Sequence, residues 1–176
     1  DGKVNEAILY AAQKAGATEI YRVGGAQAIA AMAHGTKTIG RVQKIYGPGN
    51  AYVVTAKRLL VGHVAIDLLP GPSELMVLAD ETANPAFAAA DMLAQAEHGS
   101  GHERVWLVTT SAKLLNAVGK ELEKQLPALS RSAFIQRALK KSGWLVQVKS
   151  IKDGVSLVNQ LAPEHCEVMT KDAAKV

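Results

Sequence analysis

Apolar positions along this chain switch repeatedly between a helical and a strand period. Ala7, Ile8, Ala11, Ala12 and Ala15 recur at three- and four-residue spacing, which predicts a helix over residues 4–15 with Gly16 as its stop. Glu19 to Val23 reads as a short strand, and Gly24-Gly25 turns the chain into a second helix over 26–33. The next units are a strand over 42–46, the turn Gly47-Pro48-Gly49-Asn50, a helix over 51–60 and a strand over 64–66. After Pro70-Gly71-Pro72-Ser73 the rhythm restarts with a buried strand over 75–78. Asn84 and Pro85 have the chemistry of a helix start, and that helix runs to about His98 with Gly99 as its stop. A strand over 104–109 leads to a helix capped by Ser111, broken at Pro127 and resumed over 131–140. A strand over 144–148, a helix over 151–161 and a strand over 166–169, entered through Pro163-Glu164-His165, complete the pattern.

Alternating helices and short β-branched strands imply an α/β layering with mainly parallel sheets. The turn at 70–73 divides the chain into two expected lobes, residues 1–72 and 73–176. No internal repeat or low-complexity tract interrupts them.

Composition narrows the function classes. Of 176 residues, 48% are hydrophobic, enough for a packed core and against disorder. The net charge of +4 is spread along the chain and aromatics are only 5%, so neither a nucleic-acid footprint nor a base-stacking surface is expected. No apolar run approaches the roughly 20 residues that span a bilayer. The single cysteine, Cys166, excludes an internal disulfide and suits a reducing, cytoplasmic setting. The chain opens at Asp1 on a helical pattern and closes at Val176 inside another element, which gives the expectation of a piece of a longer protein.

Candidate chemistry sits in four places. Gln95 and His98 are three apart, so on a helix they share a face and can bind one metal ion. Read locally, His98 serves equally as a helix C-terminal histidine stabilised by the helix dipole, and Gln is a weak ligand. Asp91 and Glu97 are nearby alternatives that still leave fewer than four ligands. Glu164 and His165 place a carboxylate and an imidazole behind a proline bend. In an extended chain they point apart, so separate proton transfers are expected, or simply a surface loop. Gly24-Gly25-Ala26-Gln27 and Gly47-Pro48-Gly49-Asn50 each join a strand to a helix, where backbone N–H groups can meet an anionic ligand. A tight turn alone explains either, and Asn50 can cap a helix without any ligand. Ser73 stands in the turn between the lobes, as a ligand contact or as part of a rigid hinge. Cys166 reads as a small core residue.

Taken in order, these segments resemble histidinol dehydrogenase. The resemblance rests on Val23-Gly24-Gly25-Ala26-Gln27-Ala28-Ile29-Ala30, Gly47-Pro48-Gly49-Asn50-Ala51-Tyr52-Val53, Ala56-Lys57-Arg58, Ile66-Asp67, Gly71-Pro72-Ser73-Glu74, Gln95-Ala96-Glu97-His98-Gly99 and Pro163-Glu164-His165. It implies two incomplete Rossmann-like lobes, an NAD-side lobe followed by a zinc and catalytic lobe. It implies NAD-dependent, zinc-containing oxidation of L-histidinol to L-histidine through the aldehyde, in histidine biosynthesis. Glu164 would activate the water that hydrates the aldehyde, and His165 would be the general base. Gln95 and His98 would be zinc ligands that also touch substrate, with Ser73 and His165 as further substrate contacts. Gln27 and Asn50 would contact NAD. The resemblance also implies a homodimer whose site the partner subunit completes, with no nucleic-acid or membrane partner. Two zinc ligands of the family fall outside the chain, so it is expected to be inactive alone, to bind zinc weakly and to self-associate. The alternatives are a relative acting on another small amino alcohol or polyol, and a non-catalytic homologue that serves as a binding or assembly module.

Overall fold

The computed structural model describes residues 3–71, 73–98 and 101–176. Pro72, Gly99 and Ser100, which the sequence reading placed in the interlobe turn and at the end of the metal-face helix, lie outside the described residues. Two compact units divide between Pro70 and Gly71.

The first unit contains helix α1 (Glu6–Lys14), α2 (Gly25–His34), strand β1 (Lys44–Ile45), α3 (Ala51–Leu59) and β2 (Ala65–Ile66). β1 and β2 pair in parallel. Their core is small: Ile29, Ala33, Ile45 and Val64, with Met32, Val53 and Leu60 packed around them. α1 carries an Asn5 cap but buries none of its residues. The strand expected over 19–23 is absent. Ile20, Tyr21 and Val23 are each more than two-fifths exposed, because β propensity becomes a strand only beside a neighbour that supplies hydrogen bonds and a face to cover.

The second unit contains β3 (Glu74–Ala79), α4 (Pro85–Ala96), β4 (Arg104–Thr109), α5 (Ala112–Gln125), α6 (Ser132–Ser142), β5 (Gly143–Gln147), α7 (Ile151–Leu161) and β6 (His165–Met169). The four strands form one parallel sheet in the order β5-β4-β3-β6. The chain starts at β3, winds outward to β5, then returns through α7 to the other side of β3. Both faces of β3 and β4 are covered, so their apolar runs are continuous rather than alternating. Leu75, Val77, Ala79, Val105 and Leu107 face a core shared with Ala88, Met92, Val118 and Ile135. Met76, Leu78, Trp106 and Val108 face the opposite core under Ile151, Val155 and Val158. Period-two alternation therefore sends one strand's residues into two separate cores.

The helix starts follow local chemistry. Asn84 accepts from Ala86 N–H with Pro85 in the first turn, Ser111 accepts from Leu114 N–H, and Ser150 accepts from Asp153 N–H. Each satisfies one of the donors that a helix N-terminus leaves without a partner. Among the described residues no helix is long and apolar enough to cross a membrane.

Candidate active site

α4 and β6 build the site. Parallel strands run one way and the helices between them run back, so the C-terminal end of α4 lies beside the amino-terminal ends of β3 and β6. The register places Leu75 opposite His165. Between these elements opens a pocket of about 680 Å³, lined on the helix side by Asp91, Gln95 and His98 and on the strand side by Glu164, His165 and Glu167. The two stretches singled out in the sequence thus meet in one cavity, although they are far apart along the chain.

Its position departs from the usual rule for open α/β sheets, which puts ligands beyond the carboxyl ends of the strands. In this sheet that end is tied down by Asp80, whose carboxylate accepts from Thr82 N–H at 2.9 Å and from Lys171 N–H at 3.0 Å.

Gln95 sits in the last helical turn of α4, and His98 N–H donates to its carbonyl at 3.2 Å. This turn keeps the amide and imidazole on one side after the helix itself has ended. Arg131 donates to Glu97 O at 2.7 Å, placing a guanidinium on the helix's carbonyl end, where the dipole favours a cation. Gln95 Nε2 is buried without a hydrogen-bond partner. An orphaned polar atom beside a pocket is one that a ligand can satisfy. Together Gln95 and His98 offer two neutral donors, an amide oxygen and an imidazole nitrogen, which suits half of a tetrahedral set. Among the described residues no group of three or more His, Cys, Asp or Glu side chains is placed to hold a metal, so these two fit a metal as a partial site.

Glu164 and His165 come closer together than an extended chain predicts. Glu164 lies in a bend just before β6 begins at His165, so strand alternation does not bind its side chain. Its Oε2 stands 3.8 Å from His165 Nε2 and accepts from the Glu74 backbone N–H at 3.4 Å. The 3.8 Å gap exceeds direct hydrogen-bond length but suits one bridging hydroxyl or water. Glu74 is in turn buried and ion-paired with Arg104 at 3.0 Å. Ala162, at φ 45°, precedes the site in the left-handed region, and Pro163 follows, which together force the chain's sharp entry into β6.

Sequence reasoning passed over two features of the pocket. Glu167 follows His165 by two residues, the spacing that puts both on one strand face. Burial holds its carboxyl above the usual range, reinforced by the Asp91 charge and by a hydrogen bond to Asp91. Asp91 was weighed only as a metal ligand, yet it joins α4 to β6. Cys166, expected in the core, is exposed because its strand lies at the sheet edge.

Ser73 precedes β3 and its carbonyl accepts from Arg104 N–H at 3.1 Å; it is not among the residues that line this pocket. Gln27 and Asn50 belong to the first unit. Gly25 adopts φ +72°, and a Cβ there would lie 2.9 Å from Gln27 Oε1, so glycine lets Gln27 fold back over the turn. Asn50 Oδ1 accepts from Tyr52 N–H at 3.1 Å and Val53 N–H at 3.2 Å. Asn50 is therefore a helix cap, and its Nδ2 is the atom left to meet a ligand.

The histidinol dehydrogenase family model matches residues 1–176 of the chain. The chain belongs to the histidinol dehydrogenase family. It is 54% identical over 172 residues to histidinol dehydrogenase of Geobacillus kaustophilus, a match covering 98% of this chain and 40% of that protein. It is 51% identical over 172 residues to the histidinol dehydrogenase of Bradyrhizobium diazoefficiens, with the same coverage of 98% and 40%. The crystal structure of histidinol dehydrogenase from Elizabethkingia anophelis superimposes with a TM-score of 0.93 at 43% identity, over 99% of this chain and 40% of that one. The chain thus spans about 40% of the length of these relatives. The α/β architecture with parallel sheets is that of the family's solved structure.

Proposed function

We propose that this chain forms part of an enzyme that oxidises L-histidinol to L-histidine through the aldehyde, with NAD as the hydride acceptor and zinc at the substrate site. The observation that carries this reading is the convergence of Gln95 and His98 with Glu164 and His165 on one pocket, in a chain matched along its whole length by the family.

The geometry supports the following roles. His165 is a base exposed to the pocket, and its neutral imidazole accepts a proton from a substrate hydroxyl. Glu164, anchored by the Glu74 N–H, is oriented to take a proton from a water that adds to the aldehyde. The gap between the two lets one oxygen sit within reach of both, first as alcohol and then as hydrate. Gln95 and His98 are the residues that would hold zinc, with Ser73 and His165 touching substrate. Bound zinc would polarise the substrate oxygen and stabilise negative charge developing on it. NAD carries the hydride, and Gln27 and Asn50 are its proposed contacts, in a lobe spanning residues 1–72, with residues 73–176 the catalytic lobe. The working form is a cytoplasmic homodimer whose partner subunit completes the site.

In the full-length protein, His165→Asn lowers the rate of both oxidations by ~10²–10⁴-fold, as removal of a general base does, and chelation of the metal lowers it further. Near-normal turnover of that variant would remove His165 from the chemistry. The 176-residue chain alone turns over little or no L-histidinol and binds zinc weakly, because its described residues offer only half of a ligand set; steady NADH production by the isolated chain contradicts this.

A further inference from the structure

The first unit holds an ion pair whose ammonium is buried and whose carboxylate is partly exposed. Lys57, on α3, is only 1% exposed and pairs with Asp67, which follows β2. The pair is aimed at the backbone of one residue. Lys57 Nζ donates to Gly47 O at 3.0 Å, while Asp67 Oδ2 accepts from Gly47 N–H at 2.8 Å. Asp67 Oδ1 also accepts from Leu68 N–H at 2.7 Å. Gly47 adopts φ +118°, a conformation that L side chains rarely adopt.

Burying the Lys57 ammonium costs desolvation that its attraction to Asp67 offsets, so the pair's presence is weak evidence of a net gain in stability. What it supplies is geometry. Both polar groups of Gly47 are fixed to groups on different elements. Three residues later Asn50 fixes the other end of the turn as the α3 cap. Between them, a Cβ on Gly49 would fall 2.4 Å from Val53 Cγ1, so the turn lies directly against α3. Pro48, Gly49 and Asn50 nevertheless face solvent. The result is a short turn held rigid from below and open above.

We infer that Lys57 and Asp67 are positioning residues that lock the Gly47–Asn50 turn in the conformation that receives the nicotinamide dinucleotide. This rests on Asn50 being a cofactor contact. The pair touches no cofactor atom itself; it acts through Gly47 to aim the Asn50 amide.

The test uses the full-length protein and three variants: Asn50→Ala, Lys57→Met and the double variant Lys57→Met/Asp67→Asn, which leaves no buried charge without its partner. The double variant stays folded and loses less melting temperature than Lys57→Met, which leaves the Asp67 carboxylate without its cation. Its KM and Kd for NAD rise roughly 10–100-fold, the scale of a misplaced contact, while kcat at saturating NAD changes little. A merely structural pair would move stability and leave the KM alone. An unchanged KM in the double variant, with Asn50→Ala raising it, overturns the lock and spares the cofactor site. An unchanged KM in both overturns the cofactor site, and the lock with it. Hydrogen exchange in the unmodified protein gives an independent reading: the Gly47 amide exchanges far more slowly than the neighbouring Gly49 amide, and equal rates overturn the proposal.

Discussion

Gly154 offers a direct test of the packing between α7 and the sheet. It lies in the first part of α7 and is buried. On helix propensity alone, Gly154→Ala stabilises by up to about 1 kcal/mol. The structure reverses that sign. A Cβ at this position would lie 2.5 Å from Leu78 Cδ1 and 3.5 Å from Val108 Cγ1. Carbon atoms in good contact are about 3.5–4.0 Å apart, so one of the two elements must move by roughly 1 Å. Leu78 is 1% exposed and Val108 is fully buried, which leaves the leucine no space to rotate into. Overpacking of this kind costs about 1–3 kcal/mol, so the net change is a destabilisation of about 1 kcal/mol. For a unit of roughly 100 residues that lowers Tm by about 4–8 °C. Leu78→Val removes the clashing reach. Alone it costs about 1 kcal/mol, as a lost methylene does, but in the Gly154→Ala background it costs nothing or restores stability. A double-mutant cycle in urea should therefore give a coupling of about 1–2 kcal/mol. Stabilisation by Gly154→Ala, or additivity of the two changes within ~0.5 kcal/mol, would refute the reasoning.

Other consequences are open to measurement. The Glu167 carboxyl sits above its ordinary range, by burial first and Asp91 second. The folded state therefore holds that proton more tightly than the unfolded chain, and stability falls as pH rises from the ordinary glutamate range through the raised value. Glu167→Gln removes this dependence while still donating to Asp91, so its Tm advantage over the parent opens across that interval and is flat below it; parallel Tm–pH curves would rule this out. Asp67 behaves in the opposite sense. Lys57, Gly47 and Leu68 hold its carboxyl well below the usual range, so its contribution is present above the ordinary aspartate range and lost only as pH falls through the depressed value. Asp67→Asn should flatten the acid limb of the first unit's unfolding, followed by Tyr fluorescence, and an unchanged limb would count against the pair. Asn84→Ala removes the α4 cap and should cost about 1 kcal/mol, read from a denaturant midpoint shift with unchanged slope.

The second unit was largely legible because its signals are local. Caps at Asn84 and Ser111 and the proline break at Pro127 act within a few residues of where they stand. The apolar runs of β3 and β4 read as buried strands whatever their partners. The segment 19–23 failed for the converse reason, since its strand character depends on a neighbour the local sequence does not specify. For the site, spacing put Gln95 beside His98 and adjacency put Glu164 beside His165. That the two pairs share a pocket depends on α4 running back against the parallel strands and on the return of β6 to the side of β3, both properties of topology. The Asp91–Glu167 contact was hidden for the same reason. Lys57 did leave a trace: it falls at helical spacing between Val53 and Leu60, a charge within an apolar stripe, which calls for a buried partner.

Cys166 gives this protein a built-in chemical handle. It is the sole thiol in the chain, it is solvent-accessible, and it stands on the wall of the candidate pocket. Partial burial pushes its ionisation above the ordinary thiol range, so alkylating reagents will react slowly near neutrality and faster in mild alkali. A maleimide fluorophore could therefore be attached at one known place without engineering any residue.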